Sequence, residues 1–119
     1  MKSMMIATIL LGSTLALAAT LEATRWTVQA NDKNQPAKKE TDTLVFEKGR
    51  FHSTACDPWG FTPAKYTATT DGFEADTESA REGKIHWKGT VQGDHIKGSY
   101  VWTKTGQAPI EYVFDGKRQ

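Results

Sequence analysis

The chain has 119 residues, with 15 Lys+Arg against 14 Asp+Glu, and a single cysteine. That length holds one small domain. A near-neutral balance with no basic stripe excludes a typical nucleic-acid binder, and one cysteine excludes an internal disulfide, so the fold must rest on its core.

The first stretch reads as an export signal. Lys2 gives a positive start, Met4 to Leu17 an apolar run, and Ala16-Leu17-Ala18-Ala19 a small-residue cleavage site. The run is too short for a membrane span. Cys56, the lone cysteine, lies far from the cleavage point, so no lipid anchor is expected there. The expectation is a signal peptide over 1–19 and a domain over 20–119 that is soluble and periplasmic or secreted, with no membrane span after cleavage. Removing Lys2 leaves 15 − 1 = 14 bases against 14 acids.

Thr24 to Gln29 alternates as a first strand, with Trp26 and Val28 on one face. Ala30 to Thr41 is polar and contains Pro36, and reads as a long exposed loop. Asp42–Glu47 and Arg50–Thr54 flank Lys48-Gly49; a two-residue turn sets Phe46 opposite Phe51 and Leu44 opposite Ser53. Cys56-Asp57-Pro58-Trp59-Gly60-Phe61-Thr62-Pro63 cannot be a regular strand, yet its aromatics need cover, so it reads as a loop folded over one end of the domain.

Ala64–Thr70 and Phe73–Ser79 flank Asp71-Gly72, a short hairpin signal that places Ala68 opposite Ala75. Arg81-Glu82-Gly83 fits a three-residue loop that places Thr77 opposite Trp87 and Ala75 opposite Gly89. Lys84–Gln92 and His95–Thr103 alternate strictly around Gly93-Asp94. A two-residue turn pairs Val91 with Ile96, Gly89 with Gly98, Trp87 with Tyr100 and Ile85 with Trp102, giving one continuous apolar face. Pro109–Phe114 is the last strand, with Ile110, Tyr112 and Phe114 inward, and no helix of useful length is expected after the leader. The sum is an all-β, single up-and-down antiparallel meander barrel of about eight strands, whose closure removes exposed edges.

This layout resembles the calycin-type barrels, lipocalin-like and avidin-like proteins, and small exported bacterial barrels that inhibit enzymes. In that pattern an early tryptophan packs on a basic residue near the chain end, a part that Trp26 and Arg118 or Lys117 would play here. Thr24 stands where the lipocalin pattern has glycine.

Candidate chemistry comes from the inward faces. Ala68, Ala75, Gly89 and Gly98 form a row of small residues ending at Phe114, beside Trp87, Tyr100 and Trp102. Such a belt suits a small apolar or aromatic ligand; alternatively, side chains from the opposite wall fill it. Trp59 and Phe61 are residue types that anchor a protein partner, or else they plug the barrel end. His86 and His95 point outward about 20 Å apart, and His52 lies in another hairpin, so no metal site is expected. Cys56 has no cation nearby in sequence and reads as a buried small hydrophobe at the strand end, with an intermolecular disulfide as the minority use. Glu74, Asp76 and Glu78 face outward, and no catalytic or nucleotide motif is present. The expectation is therefore a non-enzymatic binding protein without cofactor. Its partner is a small apolar ligand or, alternatively, an exported protein such as an enzyme to be inhibited. A structural envelope protein without ligand is the third reading.

Overall fold

The computed structural model describes residues 21–119; the expected signal peptide lies outside them. Eight antiparallel strands run in chain order around a closed barrel. They are β1 (Thr24–Asp32), β2 (Glu40–Glu47), β3 (Arg50–Ser53), β4 (Ala64–Ala68), β5 (Gly72–Ser79), β6 (Gly83–Gln92), β7 (His95–Thr103) and β8 (Ile110–Arg118). A 3-10 turn, Thr54–Trp59, interrupts the β3–β4 connection.

Closure comes from β1 and β8, which pair from Trp26↔Arg118 to Asp32↔Tyr112. This long-range ladder lengthens both strands beyond their local signal. Ala30, Asn31 and Asp32 belong to β1 rather than to a loop, and β2 begins at Glu40 rather than Asp42. Arg118 stands directly opposite Trp26 in that ladder. The indole of Trp26 is fully buried and donates to Thr24 Oγ1 at 2.9 Å.

Two hairpins have the expected register. Lys48 and Gly49 both take positive φ, 54° and 71°, and pair Phe46 with Phe51. Gly93, at φ 62°, joins β6 to β7 with Trp87 opposite Tyr100 and Gly89 opposite Gly98.

The other two hairpins differ from the sequence reading, each by two residues. Ala68 pairs with Phe73, not Ala75, and Gly89 also pairs with Phe73, while Ala75 faces Tyr66 and Trp87. Thr77 faces Ile85, and Ser79 faces Gly83. A slip of two keeps every side chain on its face, so alternation alone does not resolve it. Turn chemistry decides. The β5–β6 loop is Ala80-Arg81-Glu82, and the Ser79 hydroxyl accepts the Arg81 and Glu82 amides at 3.3 and 3.1 Å. Gly72 belongs to β5 instead of to a tight turn. A Cβ there would lie 1.7 Å from the Gly89 carbonyl oxygen, so glycine is needed for strand approach.

The barrel interior is aromatic. Phe46, Phe51, Phe73 and Trp87 are all buried and pack in edge-on or tilted pairs at 4.9–5.2 Å. The Trp87 indole donates to Thr77 Oγ1 at 3.2 Å. One end is closed by Leu21 and by Glu22, whose carboxylate accepts the Gly49 amide and the Tyr66 hydroxyl. The Cys56 to Pro63 segment lies at the other end, as expected, with Phe61 buried and Trp59 59% exposed.

Candidate functional site

The expected belt is a filled layer. The cross-strand row reads Ala68, Phe73, Gly89, Gly98, Phe114. Phe73 enters it because of the two-residue register correction, and Ala75 leaves it for the row of Tyr66 and Trp87. A Cβ on Gly89 would lie 2.5 Å from Phe73 Cε1, and one on Gly98 would lie 2.8 Å from Phe114 Cζ. The Phe73 ring thus occupies the space beside Gly89, whereas a Cβ on Gly98 would first meet backbone, the Lys88 carbonyl oxygen at 2.0 Å.

Open volume lies one layer further along the lumen, where the loops after β1, β3, β5 and β7 gather. There a cavity of about 440 Å³ is walled by Tyr100, Trp102 and Tyr112, with Cys56, Trp59 and Phe61 at its edge. Tyr100 and Tyr112 stack at 4.8 Å with 13° between their planes, and Trp87 lies at 4.2 Å on Tyr100, tilted by 32°. The Trp102 indole donates to the Glu82 carbonyl at 2.6 Å, which fixes its ring beside the mouth. Of the expected ligand residues, Tyr100 and Trp102 line this cup. Ala75 and Trp87 stand in the same cross-strand row as Tyr100, and Ala68, Gly89, Gly98 and Phe114 belong to the neighbouring row.

The same inward faces turn acidic at this end. On β2 the alternation Glu40, Asp42, Leu44, Phe46 runs from carboxylate to hydrocarbon, and on β1 Asp32 follows Ala30 and Val28. Asp32 is the direct partner of Tyr112 in the ladder. Asp42 is 7% exposed. Its carboxylate accepts the Ser53 hydroxyl and the Ala55 amide, the latter at 3.0 Å. Those donors are neutral, and no ion pair among the described residues involves Asp42. Glu82, by contrast, is ion-paired to Lys104 at 2.8 Å, which holds its carboxyl below the ordinary range.

Electrostatics around the cup follow from this. The Tyr100 hydroxyl is pushed up first by burial and then by Cys56, Asp42 and further negative neighbours. That of Tyr112 is raised by burial, then by Asp32 and Glu40. The Cys56 thiol is pushed up to about 11, chiefly by burial, against a lowering hydrogen bond with Ser53. At neutral pH it is therefore a protonated thiol, a poor nucleophile.

The histidines sit apart from the cup. His86 meets Asp76 at 2.7 Å, His95 meets Asp115 at 3.4 Å and His52 meets Asp57 at 3.5 Å. A larger depression of about 930 Å³ lies on the outer wall of β5–β8 and β1, open to solvent and of mixed charge, with Lys88 and Lys97 beside Glu74 and Asp115. Gly89, Gly98 and Phe114 of the expected belt, with Phe73, also line it, but both of these rings are buried; the cup, where Tyr100, Trp102 and Tyr112 are partly exposed, is the better candidate.

Sequence reasoning missed the carboxylates. Asp42 carried a readable signal, since it shares the parity of Leu44 and Phe46, but Asp32 and Glu40 fell in a stretch read as loop. Comparison of the chain with protein-family models, with curated proteins and with solved structures finds no match.

Proposed function

We propose that this protein is a non-catalytic binding protein that holds a small ligand with an apolar, flat body in the cup at the loop end of the barrel. The observation that carries the reading is the stacked Tyr100–Tyr112 pair, left partly exposed in an open cup beside a row that the Phe73 and Phe114 rings occupy. Partly exposed stacked rings leave apolar area to be covered, and a cavity of this size accepts a small organic molecule. A protonated Cys56 and the separation of the histidines from the cup favour binding over catalysis. The closed meander is consistent with a calycin-like carrier, and the leader-like residues 1–19 favour an exported one.

The test is fluorescence of N-phenyl-1-naphthylamine, a neutral apolar probe. Wild-type protein should enhance its emission at low micromolar concentration. Ala55→Trp, which adds bulk at the exposed rim, and Tyr112→Ala, which removes half of the stack, should each lower that affinity about tenfold. Equal binding by all three proteins would remove the cup as the site.

A second reading rests on Trp59, the exposed large hydrophobic side chain among the described residues. It is a docking contact for an exported protein, such as an enzyme to be inhibited. Pull-down from a periplasmic extract with wild type and Trp59→Ala tests it, and an identical set of captured proteins ends it. Failure of both tests leaves the structural envelope role.

A further inference from the structure

Resting on the cup reading, we infer that the ligand is an organic cation, an amine or quaternary ammonium attached to an apolar body. Three independent features of the cup converge on this chemistry.

The first is Asp42. It is nine-tenths buried, and its hydrogen-bond donors, the Ser53 and Thr54 hydroxyls and the Ala55 amide, supply no positive charge. A buried charge with only neutral donors is costly unless a counter-charge arrives. Within the described chain no cation reaches it, although Lys104 and Arg81 are spent on Glu82 close by. The second is the surrounding charge. Asp32 and Glu40 lie on the same inward faces, against a single lysine, Lys38, in the cavity wall. The third is the aromatic wall. Faces of Tyr and Trp rings carry negative potential, and a cation over them gains most when water is excluded. Tyr100 is flanked by Trp87 at 4.2 Å and by Tyr112 at 4.8 Å, so Tyr112 and Trp102 are the rings with surface left for a cation; the Tyr100 and Tyr112 hydroxyls have no hydrogen-bond partner among the described residues, whereas the Tyr66 hydroxyl is bound to Glu22. An ammonium group between the acidic β1–β2 wall and the Tyr100–Tyr112 stack would meet both, while its apolar body would cover Trp102 and Phe61.

The experiment compares two probes of one shape. Phenyltrimethylammonium carries the charge, and tert-butylbenzene is its neutral isostere. Affinities are read from the indole N–H resonances during titration at low salt. Wild-type protein should bind the cation at least about tenfold more tightly than the isostere. In Asp42→Asn, and separately in Glu40→Gln, the ratio of the two affinities should fall about threefold or more. Glu40 is exposed, so its variant tests the charge without touching the core. Circular dichroism checks that Asp42→Asn is folded. Equal or tighter binding of the isostere overturns the inference, as does a ratio that stays at the wild-type value in both variants. If neither probe nor N-phenyl-1-naphthylamine binds, the cup reading falls with it. If the neutral compounds bind and the cation is not preferred, only the cation falls.

Discussion

Gly89→Ala is the sharpest test of the packed layer. Gly89 lies in β6, and its φ is not in the left-handed region, so alanine there carries no backbone strain. Restricting the unfolded chain would even favour alanine by about 0.4–1 kcal/mol. The added methyl, however, would sit 2.5 Å from Phe73 Cε1, 3.1 Å from Phe73 Cδ1 and 3.3 Å from Phe114 Cζ. The Phe73 ring cannot simply swing aside, because Phe46 and Phe51 hold it at 4.9 and 5.1 Å. Overpacking of this kind costs about 1–3 kcal/mol, leaving a net loss of about 1–2 kcal/mol, a measurable part of a small domain's stability. Phe73→Leu alone should cost about 1–2 kcal/mol through lost ring contacts. In the double variant the smaller side chain makes room for the methyl, so the two losses should fall short of additivity by about 1 kcal/mol. Urea unfolding of the four proteins measures this. With Ala75 opposite Gly89, the pairing read from the hairpin pattern, the methyl would be accepted and the cycle would be additive. A neutral or stabilising Gly89→Ala, or additivity within about 0.5 kcal/mol, refutes the packing described above.

Cys56 alkylation by iodoacetamide should be about a hundredfold slower at pH 8 than that of an unperturbed thiol, because raising the pKa from 9.0 to about 11 removes about two decades of thiolate. The sign for stability follows. The folded state holds the thiol proton more tightly than the unfolded one, so this contribution is intact below pH 9 and is lost as pH rises through about 11. Cys56→Ala should flatten that alkaline decline in a pH series of urea midpoints, and an unaltered slope would contradict the burial of the thiol. Tyr66→Phe, which frees Glu22 at the closed end, should cost about 0.5–1.5 kcal/mol by urea unfolding; no loss would mean that this hydrogen bond contributes nothing. Ser53→Ala removes a neutral donor from a buried carboxylate and should cost about 1–3 kcal/mol, largely regained in Ser53→Ala with Asp42→Asn; a loss that the second substitution does not relieve would refute the role of Asp42 as acceptor.

Alternation and tight turns in the amino-acid sequence determined the strand class, the meander order, the inward faces and the registers around Lys48-Gly49 and Gly93-Asp94. These are local properties: side chains alternate with period two, and a turn with positive φ at the glycine fixes which residues meet. The tertiary structure alone decided three things. The β1–β8 ladder drew Ala30 to Asp32 and Asp115 to Arg118 into strands, because hydrogen bonds between distant segments satisfy backbone groups whatever the local propensity. The Ser79 hydroxyl and the contact of Gly72 with β6 set the two remaining registers, an even slip that leaves the hydrophobic pattern unchanged. That slip put Phe73 among the glycines and moved the open space to the mouth. Tyr100, Trp102 and Tyr112 were readable as inward residues, but their meeting with Asp32, Glu40 and Asp42 was not, because it depends on barrel closure bringing β1 and β2 around to β8.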